Sequence, residues 1–273
     1  MKATQLVQQI LPPLVYQTLM KIYKSIRKDS FLYWEPTSLN WQTAQASCSG
    51  YNEASILEKV KHATNEVLAG NAAYERDSVL FDKLEYHWPL VASLEHIYQK
   101  QHQLKVLDFG GALGSTYHQH QAVLKNFQQM HWHIVEQENY VTCGKENFTT
   151  DTLSFHYTIN ELATKKIDVI LFSCVLHYLE NPFQFIEEAV KQQITYLIFD
   201  RTPFTTEPQD IISIQHVPAK IYKANYVCRI FAETAFMQKL LQHYEIIWSW
   251  EHDIHIDIPC IYKGMFLQLK KQT

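Results

Sequence analysis

The chain has 273 residues, enough to bury the core of one large domain or of a domain with an extension. Its net charge is −4 and 19% of its residues are charged, so no broad basic surface marks a nucleic-acid partner. Five cysteines without a Cys-x-x-Cys pair indicate neither a disulfide framework nor a zinc site. No apolar run reaches the roughly 18 residues that span a bilayer, and reduced cysteines fit a cytoplasmic protein.

The first hundred residues have apolar side chains at helical spacing. The first series is Leu11, Leu14, Val15, Leu19, Ile22 and Ile26, opposite Lys21, Lys24 and Lys28. Such an amphipathic helix fits packing against the body of the protein, and it fits weak peripheral contact with an anionic membrane. Further helices are predicted over 53–68 and 74–98, with a break at Trp88-Pro89. We predict a helical N-terminal extension over 1–100 and a main domain over 101–273.

From Leu104 onward, strands alternate with helices. Strands are predicted over 104–109, 131–135, 153–157, 167–172 and 196–199, and helices over 115–127, 140–147 and 182–193. Continuously apolar strands alternating with helices indicate a parallel sheet that is covered on both faces. Two final strands, over 244–250 and 264–269, are joined by 13 residues. That link leaves no room for a crossover helix, so we expect an antiparallel pair.

A glycine-rich turn follows the first of these strands. Three of the seven glycines lie in it, at Gly110, Gly111 and Gly114, directly after a strand that contains Asp108. Ligands of open α/β sheets bind beyond the carboxyl ends of the strands. A dinucleotide fingerprint starting at Gly110 would need glycines where the chain has Ala112 and Ser115. An acid beside the turn is also unfavourable to phosphates.

Carboxylates at the strand ends indicate a cationic, phosphate-free ligand. S-adenosylmethionine fits this description, because its amino group and its sulfonium are positive and its ribose presents two hydroxyls. Glu136 ends the second strand, where a carboxylate can accept both hydroxyls, as an acid does for NAD. Gly110 and Gly114 allow the adenosyl group to lie close to the backbone.

The segment Asp108-x-Gly110-x-Ala112-x-Gly114 resembles the first motif of the class I S-adenosylmethionine-dependent methyltransferases, with Ala112 in place of its middle glycine. Residues 167–179 resemble the fourth strand of that class and the segment after it. The resemblance implies a Rossmann-like α/β fold with a seven-stranded, mostly parallel sheet and a terminal antiparallel pair. It implies a cofactor site made of Asp108, Gly110, Gly111, Gly114, Glu136 and Ser173.

A narrower resemblance extends over most of the chain. The residues compared are Gly50-Tyr51, residues 75–81, Val135-Glu136-Gln137, residues 200–204, and Ile221-Tyr222 with Tyr226. It is to bacterial methyltransferases of little-known substrate. This resemblance implies methyl transfer within cell-surface glycan biosynthesis.

Methyl transfer to a hydroxyl needs alignment of donor and acceptor and a group that takes the proton. His177 follows the fourth strand and is the first candidate base, although a positioning or capping histidine fits too. Asp200 ends the fifth strand and is either a second base or the partner of Arg201. Arg201 suits an anionic acceptor or a structural ion pair. Tyr178 either orients the acceptor or packs against neighbouring side chains. We expect a small-molecule or sugar acceptor.

Other readings are less well supported by the residues. His131 and His133 share a strand face, and His252 and His255 are close in sequence, but neither pair has a third ligand at a telling spacing, so no metal site is expected. Residues 75–77 form either a lid contact or a solvated helix face. Rival functions are a non-catalytic S-adenosylmethionine-binding module and an NAD-dependent oxidoreductase.

Overall fold

The computed structural model describes residues 32–50, 54–219, 221–222 and 224–271. The amphipathic helix predicted over 11–26, and with it the predicted membrane contact, lies outside these residues. The strands are β1 (Tyr33–Pro36), β2 (Tyr74–Arg76), β3 (Val79–Phe81), β4 (Leu104–Phe109), β5 (Met130–Val135), β6 (Leu153–His156), β7 (Val169–Ser173), β8 (Tyr196–Thr205), β9 (Ile211–Val217), β10 (Ala224–Ala232), β11 (Tyr244–His252) and β12 (Ile261–Leu269). The helices are α1 (Trp41–Ala46), α2 (Ala54–Leu68), α3 (Trp88–Gln101), α4 (Ser115–Leu124), α5 (Glu138–Asn147), α6 (Pro182–Lys191) and α7 (Glu233–Leu240).

A mostly parallel sheet forms the centre of the molecule. Strands β6, β5, β4, β7 and β8 lie side by side in that order, and all four pairings are parallel. The predicted alternation of strands and helices is therefore confirmed. Beyond β8 the order continues with β12 and then β11, which pair antiparallel as expected.

Both faces of the sheet are buried, because consecutive side chains of each strand point to opposite sides. In β7, Val169 and Leu171 join a core with helices α2 to α5, whereas Ile170 and Phe172 join a core with α6 and α7. This alternation explains why the strands are apolar without interruption. Among the described residues, no helix is long and apolar enough to cross a membrane.

The sheet is larger than the predicted seven strands, since ten strands belong to it in the described part of the chain. The difference arises because β8 continues past Asp200. Its first half pairs with β7, and Phe204 and Thr205 pair with β10. Strand β9 pairs antiparallel with β10, and β1 pairs antiparallel with β9. The turn between the two halves is at Arg201, whose φ is +50°.

The predicted N-terminal extension is not purely helical. Helices α2 and α3 are present and pack on the sheet, but β1 joins the main sheet and residues 74–81 form a β-hairpin. The predicted helix over residues 74–81 is wrong because Asp77 and Ser78, with φ of +50° and +65°, form the tight turn of a hairpin. A division of the chain at residue 100 stays a prediction.

Candidate functional site

A large cavity lies at the carboxyl ends of the parallel strands. Its volume is about 1180 Å³, and its walls include the segments after β4, β5 and β7. Strands β5 and β6 lie on one side of β4, and β7 and β8 lie on the other. The chain therefore changes direction between β4 and β7, which is where open α/β sheets bind their ligands.

The glycine turn after β4 forms part of the cavity wall. Gly110 has a φ of +74°, and a Cβ added there would lie 2.5 Å from the Val175 side chain. Ala112, the residue in place of a glycine, has a φ of +50° and so adopts the left-handed conformation that glycine prefers. Gly114 has a φ of +97° and precedes α4, but it does not line the cavity. Its role is to turn the chain into the helix.

Asp108 lies beneath this turn. Its side chain is buried, and its carboxylate accepts a hydrogen bond of 3.1 Å from Trp132 Nε1. A Cβ added to Gly111 would lie 2.6 Å from the same carboxylate, so the glycine leaves room for the acid. Burial raises the pKa of Asp108 to about 7, and the neighbouring Glu136 carboxylate adds to the rise. The group is thus poised to ionise when a cation binds beside it.

Glu136 follows β5 and lines the same cavity. Its Oε2 accepts a hydrogen bond of 2.6 Å from the Gln137 backbone N–H. Burial raises the pKa of Glu136, while the backbone N–H groups of Gln137 and Ala112 act against that rise. The structure therefore brings Asp108, Glu136 and the glycine turn together.

The residues at the ends of β7 and β8 form one hydrogen-bonded network. Ser173 Oγ donates to Asp200 Oδ2 at 3.0 Å and accepts from Arg201 Nη2 at 2.7 Å. Arg201 Nε also lies 3.0 Å from Asp200 Oδ2. Ser173 and Arg201 line the cavity, but Asp200 does not. Asp200 thus contacts the predicted cofactor residue Ser173 and the predicted acceptor residue Arg201 without itself facing the cavity.

Asp200 has the properties of an ion-pair partner. Burial alone would raise its pKa, but the Arg201 guanidinium and the hydrogen bonds from His252 and His87 together outweigh that effect and hold the pKa of Asp200 well below its usual range. A carboxylate held ionised in this way is a weak proton acceptor. Of the two readings given to Asp200 above, the geometry agrees with the partner of Arg201.

His177 and Tyr178 lie on the cavity wall beyond β7, in the short turn Leu176–Tyr178. The His177 ring is 1% exposed, and its Nδ1 has no hydrogen-bond partner among the described residues. Burial lowers the pKa of His177 to about 3, so the ring is neutral at physiological pH. Tyr178 Oη donates to Gln215 Oε1 at 2.6 Å, and its ring centroid lies 4.0 Å from that of His177.

The hairpin of β2 and β3 supplies residues 75–77, for which the sequence left open a lid contact or a solvated helix face. Glu75 is buried and accepts hydrogen bonds from the Ser78 N–H, at 3.1 Å, and from the Ser115 hydroxyl at the start of α4. This contact fixes the hairpin against the glycine turn, and Arg76 and Asp77 line the cavity. Asp77 is exposed where it lines the cavity, and desolvation by the surrounding protein raises its pKa, with Arg201 and Arg76 acting against the rise. In the sequence, the signal for this part of the site was the charged triplet Glu75-Arg76-Asp77.

Strands β9 and β10 and the end of the chain provide a polar, aromatic wall opposite the turn. Gln215, Tyr222, Tyr226 and Tyr262 line it, and the hydroxyls of Tyr222 and Tyr226 are 3.1 Å apart. The cavity therefore has two parts. Asp108, Glu136 and the glycine turn lie at β4 and β5, whereas Arg201 and the phenols lie at or near β8 to β10. Such a cavity can hold a cationic ligand in one part and a hydroxyl-bearing or anionic one in the other.

Comparison with known proteins gives a set of structural similarities. No family model matches the chain, and no curated protein sequence matches it. The N-terminal domain of EvdMO1, solved in the presence of S-adenosylhomocysteine and D-fucose, matches 80% of this chain and all of that domain, with 9% identity and a TM-score of 0.48. An S-adenosylmethionine-dependent methyltransferase from Clostridium acetobutylicum matches 78% of this chain and 99% of its own, with 10% identity and a TM-score of 0.47.

The glycopeptide N-methyltransferase MtfA, complexed with S-adenosylmethionine, matches 66% of this chain and 94% of its own, with 8% identity and a TM-score of 0.44. These identities and TM-scores are low. We therefore base the proposed function on the residues of the site itself.

Proposed function

We propose that the protein is an S-adenosylmethionine-dependent methyltransferase that acts on the hydroxyl of a small molecule or a sugar. One observation carries the proposal: the bare turn at the switch point has two carboxylates beside it, Asp108 and Glu136. A pyrophosphate on this turn would lie beside the Asp108 carboxylate, whereas a cationic amino acid head would be attracted to it. This contrast also disfavours an NAD-dependent oxidoreductase.

The residues present fit the cofactor. A Cβ at Gly110 would meet Val175 and one at Gly111 would meet Asp108, so backbone alone forms the turn that the adenosyl group would contact. Glu136 would accept the two ribose hydroxyls, and Asp108 would face the amino group. Ser173, held by Asp200 and Arg201, would contact the ligand from the end of β7.

When bound, the sulfonium compound supplies an activated methyl group, so the protein has to align the acceptor and accept its proton. We assign the proton to Asp77, because this residue lines the cavity and burial raises the pKa of its carboxyl above the ordinary value. His177 would accept a hydrogen bond from the acceptor at its unpartnered Nδ1. Arg201 and Tyr178 would bind the acceptor, with Asp200 keeping Arg201 in place.

Calorimetry tests the cofactor. We expect S-adenosylmethionine and S-adenosylhomocysteine to bind one per chain and NADH not to bind. Binding of NADH without response to either sulfur compound would support the oxidoreductase and contradict the proposal. Binding of the sulfur compounds without methyl transfer to any of a broad panel of hydroxyl acceptors would support a non-catalytic binding module. A sugar acceptor would agree with a role in surface-glycan biosynthesis.

Two variants separate the roles of the candidate bases. We expect Asp77→Asn to lower kcat by about 100-fold or more, the range for a lost general base, without weakening the binding of S-adenosylhomocysteine. We expect His177→Gln to raise the KM of the acceptor more than it lowers kcat. If Asp77→Asn retains full kcat while His177→Gln loses it, the base is His177 and the assignment of Asp77 is wrong.

A further inference from the structure

A second cluster of ligand-type side chains lies behind the cavity wall. His87 precedes α3, Asp200 is in β8 and His252 ends β11. His87 Nε2 and His252 Nε2 each lie 2.8 Å from Asp200 Oδ1, and the three atoms lie within 4.8 Å of one another. In the described part of the chain, these three residues form the group of histidine, cysteine and carboxylate side chains whose ligand atoms converge. The residues are far apart in sequence, so only the fold brings them together.

Asp200 Oδ1 is the point where the cluster converges. Trp250 Nε1 lies 3.3 Å from it and 3.0 Å from His252 Nε2, and an indole N–H can only donate, so the indole can bond to the carboxylate. The Nε2 atoms of both histidines face the same oxygen at 2.8 Å. A neutral imidazole that carries its proton on Nδ1 presents a lone pair at Nε2, so an ion bound between these atoms would replace the two hydrogen bonds with coordination.

The three atoms are close enough together to share one ion. Metal–nitrogen and metal–oxygen bonds of about 2.0–2.2 Å place neighbouring ligand atoms of a tetrahedral shell roughly 3.3–3.6 Å apart. The ligand atoms all lie within 4.8 Å of one another, and the two N···O distances of 2.8 Å would have to lengthen when an ion binds. The side chains of His87 and His252 are 19% and 17% exposed, so an ion can reach them from solvent.

The second oxygen of Asp200 is already fixed. Ser173 Oγ and Arg201 Nε both lie 3.0 Å from Asp200 Oδ2, which leaves Oδ1 for the cluster. Outer partners of this kind orient the carboxylate of a metal site. Two imidazoles and one carboxylate form the ligand set of zinc sites that keep an open position.

We propose that His87, Asp200 and His252 bind one first-row divalent transition-metal ion with the ligand preferences of Zn²⁺. The ion would join α3, β8 and β11 at one point. It would also act on the cavity through Asp200, which holds two residues of the cavity wall, Ser173 and Arg201. The ion is thus a positioning element and not a participant in methyl transfer.

Cobalt titration of the full chain, after dialysis against EDTA, tests the site. We expect one equivalent of Co²⁺ to bind with visible d–d absorption and to be displaced by Zn²⁺. His87→Gln and His252→Gln should each weaken binding by about tenfold or more. His255→Gln is the matched control, because His255 is 86% exposed and lies beside Asp253, away from the cluster. Asp200→Asn is avoided, since it leaves the buried Arg201 without its partner.

Two further measurements keep the outcome decisive if a histidine variant folds poorly. Trp250→Phe retains all three ligands and should still bind Co²⁺. X-ray absorption of the wild-type complex should show nitrogen and oxygen ligands only. Absence of saturable Co²⁺ binding by the wild-type protein, a sulfur ligand in the absorption spectrum, or unchanged binding in both histidine variants would overturn the proposal.

Discussion

Replacing Asp108 by asparagine should make the ligand-free protein more stable, and more so at higher pH. Burial raises the pKa of this carboxyl from 3.8 to about 7. The unfolded chain therefore loses this proton at lower pH than the folded chain does. Stability then falls as the pH rises between these two values, and it levels off above the folded-state pKa. Asp108→Asn has no such group, and its amide oxygen can still accept from Trp132 Nε1.

The size of the effect follows from the pKa difference. A difference of one in pKa corresponds to about 1.4 kcal/mol. Between about pH 5 and about pH 8, the advantage of Asp108→Asn in the free energy of unfolding should grow by about 3 kcal/mol. Urea unfolding of both proteins over this pH range measures it. The reasoning fails if the stability difference between the two proteins does not change with pH.

The same residue links stability to ligand binding. A cation beside Asp108 favours its ionised form, so binding of S-adenosylmethionine below the folded-state pKa should release a proton. Calorimetry in buffers of different ionisation enthalpy detects that proton. The Asp108→Asn protein should release none from this position and should bind more weakly. Equal proton release by the two proteins would show that another group loses the proton.

Three further substitutions test other parts of the structure. Glu136→Ala should weaken binding of S-adenosylmethionine by roughly 1–3 kcal/mol, as for a lost charged hydrogen bond, and unchanged affinity by calorimetry would refute its role toward the ribose. Gly264→Ala should lower the free energy of unfolding by about 1–3 kcal/mol, because the new Cβ would lie 2.0 Å from the Trp250 indole. Urea unfolding measures this loss, and a variant as stable as the wild-type protein would contradict the prediction. Ser78→Gly should raise stability by about 0.5–1 kcal/mol, since φ at this hairpin position is +65°; a loss of stability in the same assay would show that the serine side chain contributes.

Several features of the site were evident in the sequence because they depend on neighbours along the chain. The glycine turn follows a buried strand directly, and a left-handed backbone near a ligand requires glycine or a tolerant residue such as Ala112. Asp108 and Glu136 were expected at the same sheet edge because the carboxyl ends of parallel strands meet there.

Other features depended on contacts between distant segments. The turn of the β2–β3 hairpin contains Asp77 and Ser78 in place of the usual glycine, so its sequence reads as a helix. The placement of Arg76 and Asp77 in the cavity then follows from the docking of Glu75 on α4. Position along the chain made Asp200 look like a cavity residue, but its carboxylate contacts His87, which precedes α3, and His252 of β11.

The sequence by itself determined the alternating fold, the glycine turn and the acids beside it, because periodicity and local backbone conformation are encoded within a few residues. Tertiary structure alone decided the ten-stranded extent of the described sheet, the hairpin wall of the cavity and the meeting of His87, Asp200 and His252. These arrangements arise from packing between segments separated by as many as 183 residues, the span from Tyr33 in β1 to His216 in β9, and no local pattern specifies which distant side chains will meet.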